Sequence, residues 1–521
     1  MAGTAFISTT IPYVNARPHL GHALEDVQTD SYARQMRAYG TDVFFLTGSD
    51  ENALKNVLAA EQEGLTTRDL VDRNVVYFQE LLTALEISNN QFIRTSADPD
   101  HLEGSRLIWE RMNASDDIYS KEYEGLYCVQ CEQFYSPDEL IDGKDPEHGI
   151  VPELVSERNY FFRLSRYEDA LLKALESGEM RVVPQTRFNE VVSFIRAGLE
   201  DISISRSAER ARGWGIEVPG DPSQVMYVWI DALTNYTNAL GWSRDAGAYH
   251  RYWQQAGRRV HVVGKGVLRF HAVYWPAMLL SAGLPLPTDI VVHGYITASG
   301  RKISKSLGNA VDPIDLVDRY GVNAVRHFLL ADFSPFGDGD FAEERLVSRY
   351  NTDLANGLGN LVSRATSMTL RYRDGVVPPA RKTGALDAAL AEQVAASTTG
   401  SAEAMAGYDH KQATTRIWDL VRRTNAYIDE RAPWQLAKAA GEGDEQASAA
   451  LDTTLHHLVA AVRHLGVLIG PFLPDPAAAI LEAVGPSPSP VPDASRWLED
   501  ITGTRVTKPP ALFPRLEVPQ P

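Results

Sequence analysis

The hydrophobic period changes part-way along the chain, and this change constrains the fold more than any single motif does. Roughly the first ninety residues alternate short β-like runs with longer stretches of helical period, the pattern of a parallel sheet covered by helices. From about Leu346 the period is helical throughout, in long Ala- and Leu-rich stretches at 386–407, 412–432 and 446–468 that read as a bundle. Between the two, 118–220 carries Gly, Pro and charge clusters around short strand-like runs, which reads as an insertion into the first domain. The tail from Gly485 is rich in Pro and Ser and is expected to be an extended strap or to stay partly mobile. The expected division is 1–117 and 221–290 for the two halves of an α/β domain, 118–220 for the insertion, 291–345 for a linker subdomain and 346–521 for the bundle with its tail.

A length of 521 residues agrees, because it exceeds what one core organises. With 44% hydrophobic and 23% charged residues, the chain falls outside the disordered and fibrous classes. The most apolar late stretch, 458–473, is broken by Arg463 and His464, and the first ten residues lack a basic region followed by an apolar one. A cytoplasmic protein with no membrane partner is expected. Two cysteines cannot build a disulfide framework, which suits a reducing compartment. The net charge of −18 argues against nonspecific coating of nucleic acid, and no DNA partner is expected. A local basic face could still hold a phosphate backbone on an otherwise acidic surface.

The first motif is Thr9-Thr10-Ile11-Pro12-Tyr13 followed by Pro18-His19-Leu20-Gly21-His22, where a strand from Ala5 feeds a loop and then a helix. Pro18 suits a first helical position, and Leu20, Ala23, Leu24 and Val27 have the spacing of an apolar stripe on a helix ending near Gly40. His19 and His22 would then share a face at the positive end of the helix, a place suited to phosphate. Gly21 between them leaves room for a flat group against the backbone. Taken alone, the same spacing also fits a metal pair or two surface histidines.

The second motif is Arg301-Lys302-Ile303-Ser304-Lys305-Ser306-Leu307-Gly308-Asn309. Two lysines interleaved with serines and bounded by Gly300 and Gly308 make a short, positively charged loop that could close on a triphosphate. A fixed donor at developing charge contributes about 3 kcal/mol in comparable sites.

With both motifs present, the sequence resembles the class I aminoacyl-tRNA synthetases, whose two signatures correspond to His19-Leu20-Gly21-His22 and Lys302-Ile303-Ser304-Lys305-Ser306. The segments Thr10-Ile11-Pro12-Tyr13, Phe45 to Asp50, Tyr227 to Asp231, Phe270-His271, Tyr274 to Ala277 and Val292 to Tyr295 resemble the methionine-specific members. The resemblance implies a Rossmann-like catalytic domain with an inserted connective domain, followed by an all-α anticodon-binding bundle. It also implies L-methionine, ATP with Mg²⁺ and tRNA(Met) as the reacting partners. His19, Gly21, His22, Lys302, Ser304, Lys305 and Ser306 would hold ATP, with the two histidines and two lysines catalytic. Ile11, Tyr13, Asp50, Trp229, Tyr236 and His271 would hold methionine, as an aromatic-lined pocket suits a polarizable thioether and Asp50 could pair with its ammonium group. Arg206 would meet the acceptor end, and Asn360, Arg364 and Trp434 the anticodon, whose single-stranded bases are read by stacking and edge contacts.

The chain departs from the family pattern in three places. Asn52-Ala53 stand where members often have His-Gly, and Gly266 follows Gly264-Lys265 where many have Asp. Cys128-Val129-Gln130-Cys131 is half of a zinc knuckle, and the second half would have to come from Asp145 and His148. An Asp in place of a thiolate weakens such a site, so no metal is expected. The chain stops soon after the bundle, and a monomer is expected. A nucleotidyltransferase of the same superfamily would need no large bundle, and a noncatalytic tRNA-binding relative would lose the histidines and lysines that are present here.

Overall fold

The computed structural model describes residues 3–128, 133–135, 137–146, 149–298, 301–302, 311–487, 489 and 491–517. The chain forms two compact units, one of Met1–Thr29, Asp42–Thr83 and Ile87–Gly294, the other of Asp30–Thr41, Ala84–Glu86 and Tyr295–Pro521.

The strands of the first unit are β1 (Thr4–Ser8), β2 (Asp42–Ser49), β3 (Gln91–Arg94), β4 (Ile118–Cys128), β5 (Gln133–Tyr135), β6 (Glu153–Phe162), β7 (Arg181–Val183), β8 (Ile202–Ser203), β9 (Ser205–Ser207), β10 (Glu217–Val218), β11 (Asp221–Met226), β12 (Arg258–Gly264) and β13 (Asp289–His293). Six of them form a wholly parallel sheet in the order β3-β2-β1-β12-β13-β7. β13 is buried along its whole length, which is why it reads as an apolar run rather than an alternation. The chain winds from β1 through β2 to β3 on one side, then returns to place β12 and β13 on the other. The strand order therefore reverses between β1 and β12, and open α/β sheets bind ligands beyond the carboxyl ends of such a pair.

The helices of this unit are α1 (Leu20–Ala38), whose first half belongs to it, α2 (Leu54–Glu63), α3 (Thr67–Ala84), α4 (Pro99–Ala114), α5 (Glu168–Glu176), α6 (Gln185–Arg196), α7 (Val228–Asn238), the short turn α8 (Gly247–Tyr249) and α9 (Trp275–Ala282). α1 begins two residues after Pro18, because the His19 carbonyl accepts from the His22 and Ala23 amides at 3.0 and 3.4 Å. It stops before Gly40, whose φ of +82° a side chain would oppose. Its Leu20, Ala23, Leu24 and Val27 are buried, as the spacing requires. α4 starts at Pro99 under a side-chain cap from Asp98.

The segment 118–220 builds the antiparallel sheet β5-β4-β6-β8, supplies β9 and β10 to a second one completed by the following strand β11, and adds β7 to the edge of the parallel sheet, pairing Arg181 with Asp289. Phe162, Leu171 and Val191 from this segment share one core with Phe6, Ile93 and Trp275.

In the second unit β14 (Ile296–Ala298) pairs antiparallel with β15 (Arg301–Lys302) and parallel with β16 (Gly339–Phe341). Helices α10 (Pro313–Tyr320), α11 (Val322–Ala331) and α12 (Glu343–Arg349) lead into a π-helical stretch, Tyr350–Gly359, and then α13 (Asn360–Arg373). α14 (Ala385–Ala406), α15 (His410–Arg431) and α17 (Glu445–Ile469) are the three bundle helices anticipated from the period, joined by α16 (Pro433–Gly441) and α18 (Pro474–Val484). Arg326 on α11 is fully buried. Its guanidinium donates to the Phe472 carbonyl, the Leu85 carbonyl and the Asp30 carboxylate at 3.0, 2.8 and 2.7 Å, so the buried charge is both paired and hydrogen-bonded. The described part of the tail is a strap: the Gly503 amide donates to the Val377 carbonyl at 2.8 Å, and the Asn351 side chain exchanges two bonds with the Leu516 backbone at 2.9 and 3.0 Å. Among the described residues no helix is long and apolar enough to cross a membrane.

Candidate active site

A cavity of about 310 Å³ opens where the strand order reverses. The loop after β1 supplies Ile11 and Tyr13, the end of β2 Asp50, helix α7 Trp229 and Tyr236, and the stretch after β12 His271, so every residue expected to hold methionine lines it. His19 and His22 line the same cavity, which brings the phosphate motif and the aromatic walls together. Ala232, Leu233 and Val267 complete parts of the wall that the motifs did not reveal.

The aromatic wall is ordered by ring contacts. Trp229 stacks on Phe270 at 3.9 Å between centroids and meets Tyr13 and His271 edge-on, each at 6.4 Å. The His271 Nδ1–H donates to the Val267 carbonyl at 2.9 Å, leaving Nε2 to accept from the Tyr236 hydroxyl at 2.7 Å. Burial pushes His271 down to about 4, so the ring is a neutral acceptor at physiological pH. Burial also holds the Tyr236 hydroxyl well above its usual range and keeps it a donor. Asp50 is buried, and its amide donates to the Pro12 carbonyl at 2.9 Å, which ties the carboxylate-bearing turn to the loop that carries Ile11 and Tyr13.

The two signature imidazoles stack on each other, with centroids 3.9 Å apart and planes 15° apart. His19 Nδ1 accepts from the Gly21 amide and His22 Nδ1 accepts from the His19 amide, both at 3.1 Å. Both rings are therefore held with Nε2 as the N–H donor. Burial, followed by the charges of His19 and His293, pushes His22 well below its ordinary value and makes it a neutral donor. The flat group lying against Gly21 is the His19 ring itself: a Cβ at Gly21 would stand 2.9 Å from His19 Cε1.

Glu25 and His293 escaped the sequence reading. Glu25 accepts from the Thr10 amide at 2.7 Å and from the Thr10 hydroxyl, while its other oxygen meets His293 Nε2 at 2.7 Å. Burial opposes charge on His293, but the Glu25 carboxylate outweighs it and raises the imidazole above its ordinary value. Glu25 stands one turn beyond His22 on α1, a signal the sequence did contain; His293 lies inside the Val292 to Tyr295 segment that carried the resemblance, but nothing there linked it to Glu25.

Arg206 departs from what its motif suggested. It lies buried on β9, opposite Val225 of β11, its guanidinium 4.2 Å from the Tyr227 ring centre, with bonds to the Ser203 hydroxyl and the Ser205 carbonyl at 3.0 and 2.7 Å. In this conformation its guanidinium braces the sheet, and the side chain is largely covered. Lys302 lies in β15 opposite Thr297, and Ser304, Lys305 and Ser306 lie outside the described residues. Cys131 and His148 also lie outside them. Cys128 is buried, and buried Asp145 accepts from the Ile150 amide at 2.8 Å. Among the described residues no group of three His, Cys, Asp or Glu could hold a metal ion.

Two family profiles match the chain: class I tRNA synthetases of the methionine type over 5–150 and 135–366, and the anticodon binding domain of methionyl tRNA ligase over 377–520. The methionine–tRNA ligase of Mycobacterium bovis is 43% identical over 99% of this chain and 98% of its own length, and that of Caldanaerobacter subterraneus is 43% identical over 99% and 80%. The Mycobacterium tuberculosis methionyl-tRNA synthetase in complex with methionyl-adenylate superposes with a TM-score of 0.91 at 40% identity, covering 99% of this chain and all of that one. The chain belongs to the methionyl-tRNA synthetases. It is thus a ligase that forms aminoacyl-tRNA, and its helical unit holds the family's anticodon-binding domain. In this synthetase Asn360 is exposed at the start of α13, and Arg364 donates to Asp429 on α15 at 2.6 Å. Trp434, at the start of α16, is 47% exposed, an unusual position for a tryptophan with no face to meet.

Proposed function

We propose that the cavity of the first unit activates L-methionine with ATP and that the second unit positions tRNA(Met) to receive the product. The observation that carries this reading is a single cavity shared by an aromatic wall, the Asp50 carboxylate and two stacked imidazoles at the point where the strand order reverses. Asp50 pairs with the ammonium group of methionine, while Ile11, Tyr13, Trp229, Tyr236 and His271 enclose its thioether. ATP enters as its magnesium complex. The methionine carboxylate attacks the α-phosphorus in line, a P–O bond forms, and the bond to the bridging oxygen breaks as pyrophosphate leaves. The Nε2–H groups of His19 and His22 donate to phosphate oxygens, and Gly21 lets the His19 ring reach that position. Lys302 and Lys305, with Ser304 and Ser306 beside them, follow the charge onto the departing pyrophosphate. The terminal ribose hydroxyl of the tRNA then attacks the acyl carbon and releases AMP.

Asn360, Arg364 and Trp434 are the proposed anticodon contacts. Exposure of Asn360 and Trp434 supports this, as does the Arg364–Asp429 bond, which brings α13 to the end of α15 just before Ala432-Pro433-Trp434. A cytoplasmic monomer completes the proposal, and light scattering that gives a stable dimer at micromolar concentration would contradict it. The test of activation is exchange of labelled pyrophosphate into ATP with each of the twenty amino acids, repeated with Lys305→Ala. Exchange is expected chiefly with methionine and is expected to be lost in the variant. Exchange driven by another amino acid would overturn the substrate.

A further inference from the structure

We propose that the hydrogen bond between Asn52 and Asp231 sets the width of the methionine cavity, which makes both of them positioning residues for side-chain selectivity. This rests on the reading of that cavity as the methionine site. One wall comes from the loop side, where the Asp50 amide bonds to the Pro12 carbonyl and Tyr13 bridges to Asp50. The other wall is α7, with Trp229, Ala232, Leu233 and Tyr236 facing inward. Asn52 follows Asp50 by two positions, and its Nδ2 donates to Asp231 Oδ2 at 2.8 Å. Asp231 is fully buried on α7, and its Oδ1 meets Nε2 of the fully buried His101 on α4 at 2.7 Å.

α4 and α7 are locked further by Ser105 and Thr234, whose hydroxyls lie 2.7 Å apart, and by the approach of Gly104, where a Cβ would fall 2.1 Å from Asn238 Oδ1. The Asp231 carboxylate is therefore the joint at which the Asp50 loop, α7 and α4 meet. α7 cannot shift toward α4 to compensate, so the width of the cavity follows the loop. A hydrogen bond to a buried carboxylate is about twice as strong as a neutral one, and its loss lets the loop move away from α7. Family members often carry histidine where this chain has Asn52; both side chains offer an N–H, and that donor is what the joint needs.

The test compares wild type, Asn52→Ala, Asn52→His and Asp231→Asn in pyrophosphate exchange with methionine and with its longer analogue ethionine, after circular dichroism confirms folding. Asn52→Ala is expected to raise the KM for methionine about tenfold, with kcat within about twofold, and to lower the preference for methionine over ethionine by a similar factor. The KM for ATP is expected to stay put. Asp231→Asn, which leaves two donors facing one acceptor, should lose the same preference, and Asn52→His should restore most of it. An unchanged preference in a folded Asn52→Ala protein would overturn the inference, as would a fall in kcat and in affinity for both substrates with no change in preference. Wild type that shows no methionine-dependent exchange would instead remove the proposed function on which the inference stands.

Discussion

Replacing Glu25 by Gln is expected to destabilise the protein more at pH 6 than at pH 9. Glu25 and His293 form a buried pair, 2.7 Å apart with side chains 10% and 7% exposed, so solvent screens them little. Removing one partner of such a pair costs about 3–5 kcal/mol, because the other charge is left uncompensated. Glutamine keeps a neutral acceptor contributing about 1 kcal/mol, which leaves about 2–4 kcal/mol. At about 2–4 °C per kcal/mol for a large domain, the melting temperature should fall by roughly 4–16 °C. The sign with pH follows from His293, whose imidazole is raised above its ordinary value of 6.5 in the folded protein. Stability from a raised group is fully present below the unfolded value and is lost as pH rises through the folded one. Wild type therefore loses this contribution as the solution is made alkaline. In the variant burial opposes the charge on His293 with only the Gly294 carbonyl left to favour it, so the penalty grows as pH falls. Melting curves of both proteins from pH 6 to pH 9 read the difference directly; a gap that is constant with pH, or widest at pH 9, would refute the assignment of charge to His293.

Tyr236→Phe removes the hydroxyl that satisfies His271 Nε2 in a buried wall, and should raise the KM for methionine by the equivalent of about 1–3 kcal/mol, roughly fivefold to a hundredfold, in pyrophosphate exchange. Gly21→Ala should separate stability from activity. The added Cβ displaces the His19 ring while alanine favours the helix, so the melting temperature should hold or rise while kcat/KM for ATP falls at least tenfold. Trp434→Ala changes an exposed side chain, so melting should move by less than about 0.5 kcal/mol and methionine activation should be unaffected. Its KM for tRNA should rise by the equivalent of one lost stacking contact, about 1–3 kcal/mol.

What the sequence could reveal depended on whether the physics was local. The bundle helices and the first half of α1 declare themselves through repeated apolar spacing, and the phosphate motif through residues within one turn of each other. β7 did not, because three residues inside a charged insertion of short elements carry no period; only its pairing with β13 makes it a strand of the main sheet. The π-helical stretch Tyr350–Gly359 was equally silent, since its period is too close to that of an α-helix to separate over ten residues. Glu25 with His293 and His101 with Asp231 join side chains from distant segments, and composition cannot report such meetings. Arg206 shows the reverse case: its motif was visible, but whether an arginine faces solvent or lies between tyrosine rings is decided by the sheet around it.

The measurement that tests the central claim most directly is the charging of tRNA(Met) with labelled methionine by the purified protein in the presence of ATP. We expect methionine to be transferred to this tRNA and each turnover to release AMP and pyrophosphate. Failure to charge it, or charging with a different amino acid, would contradict the account.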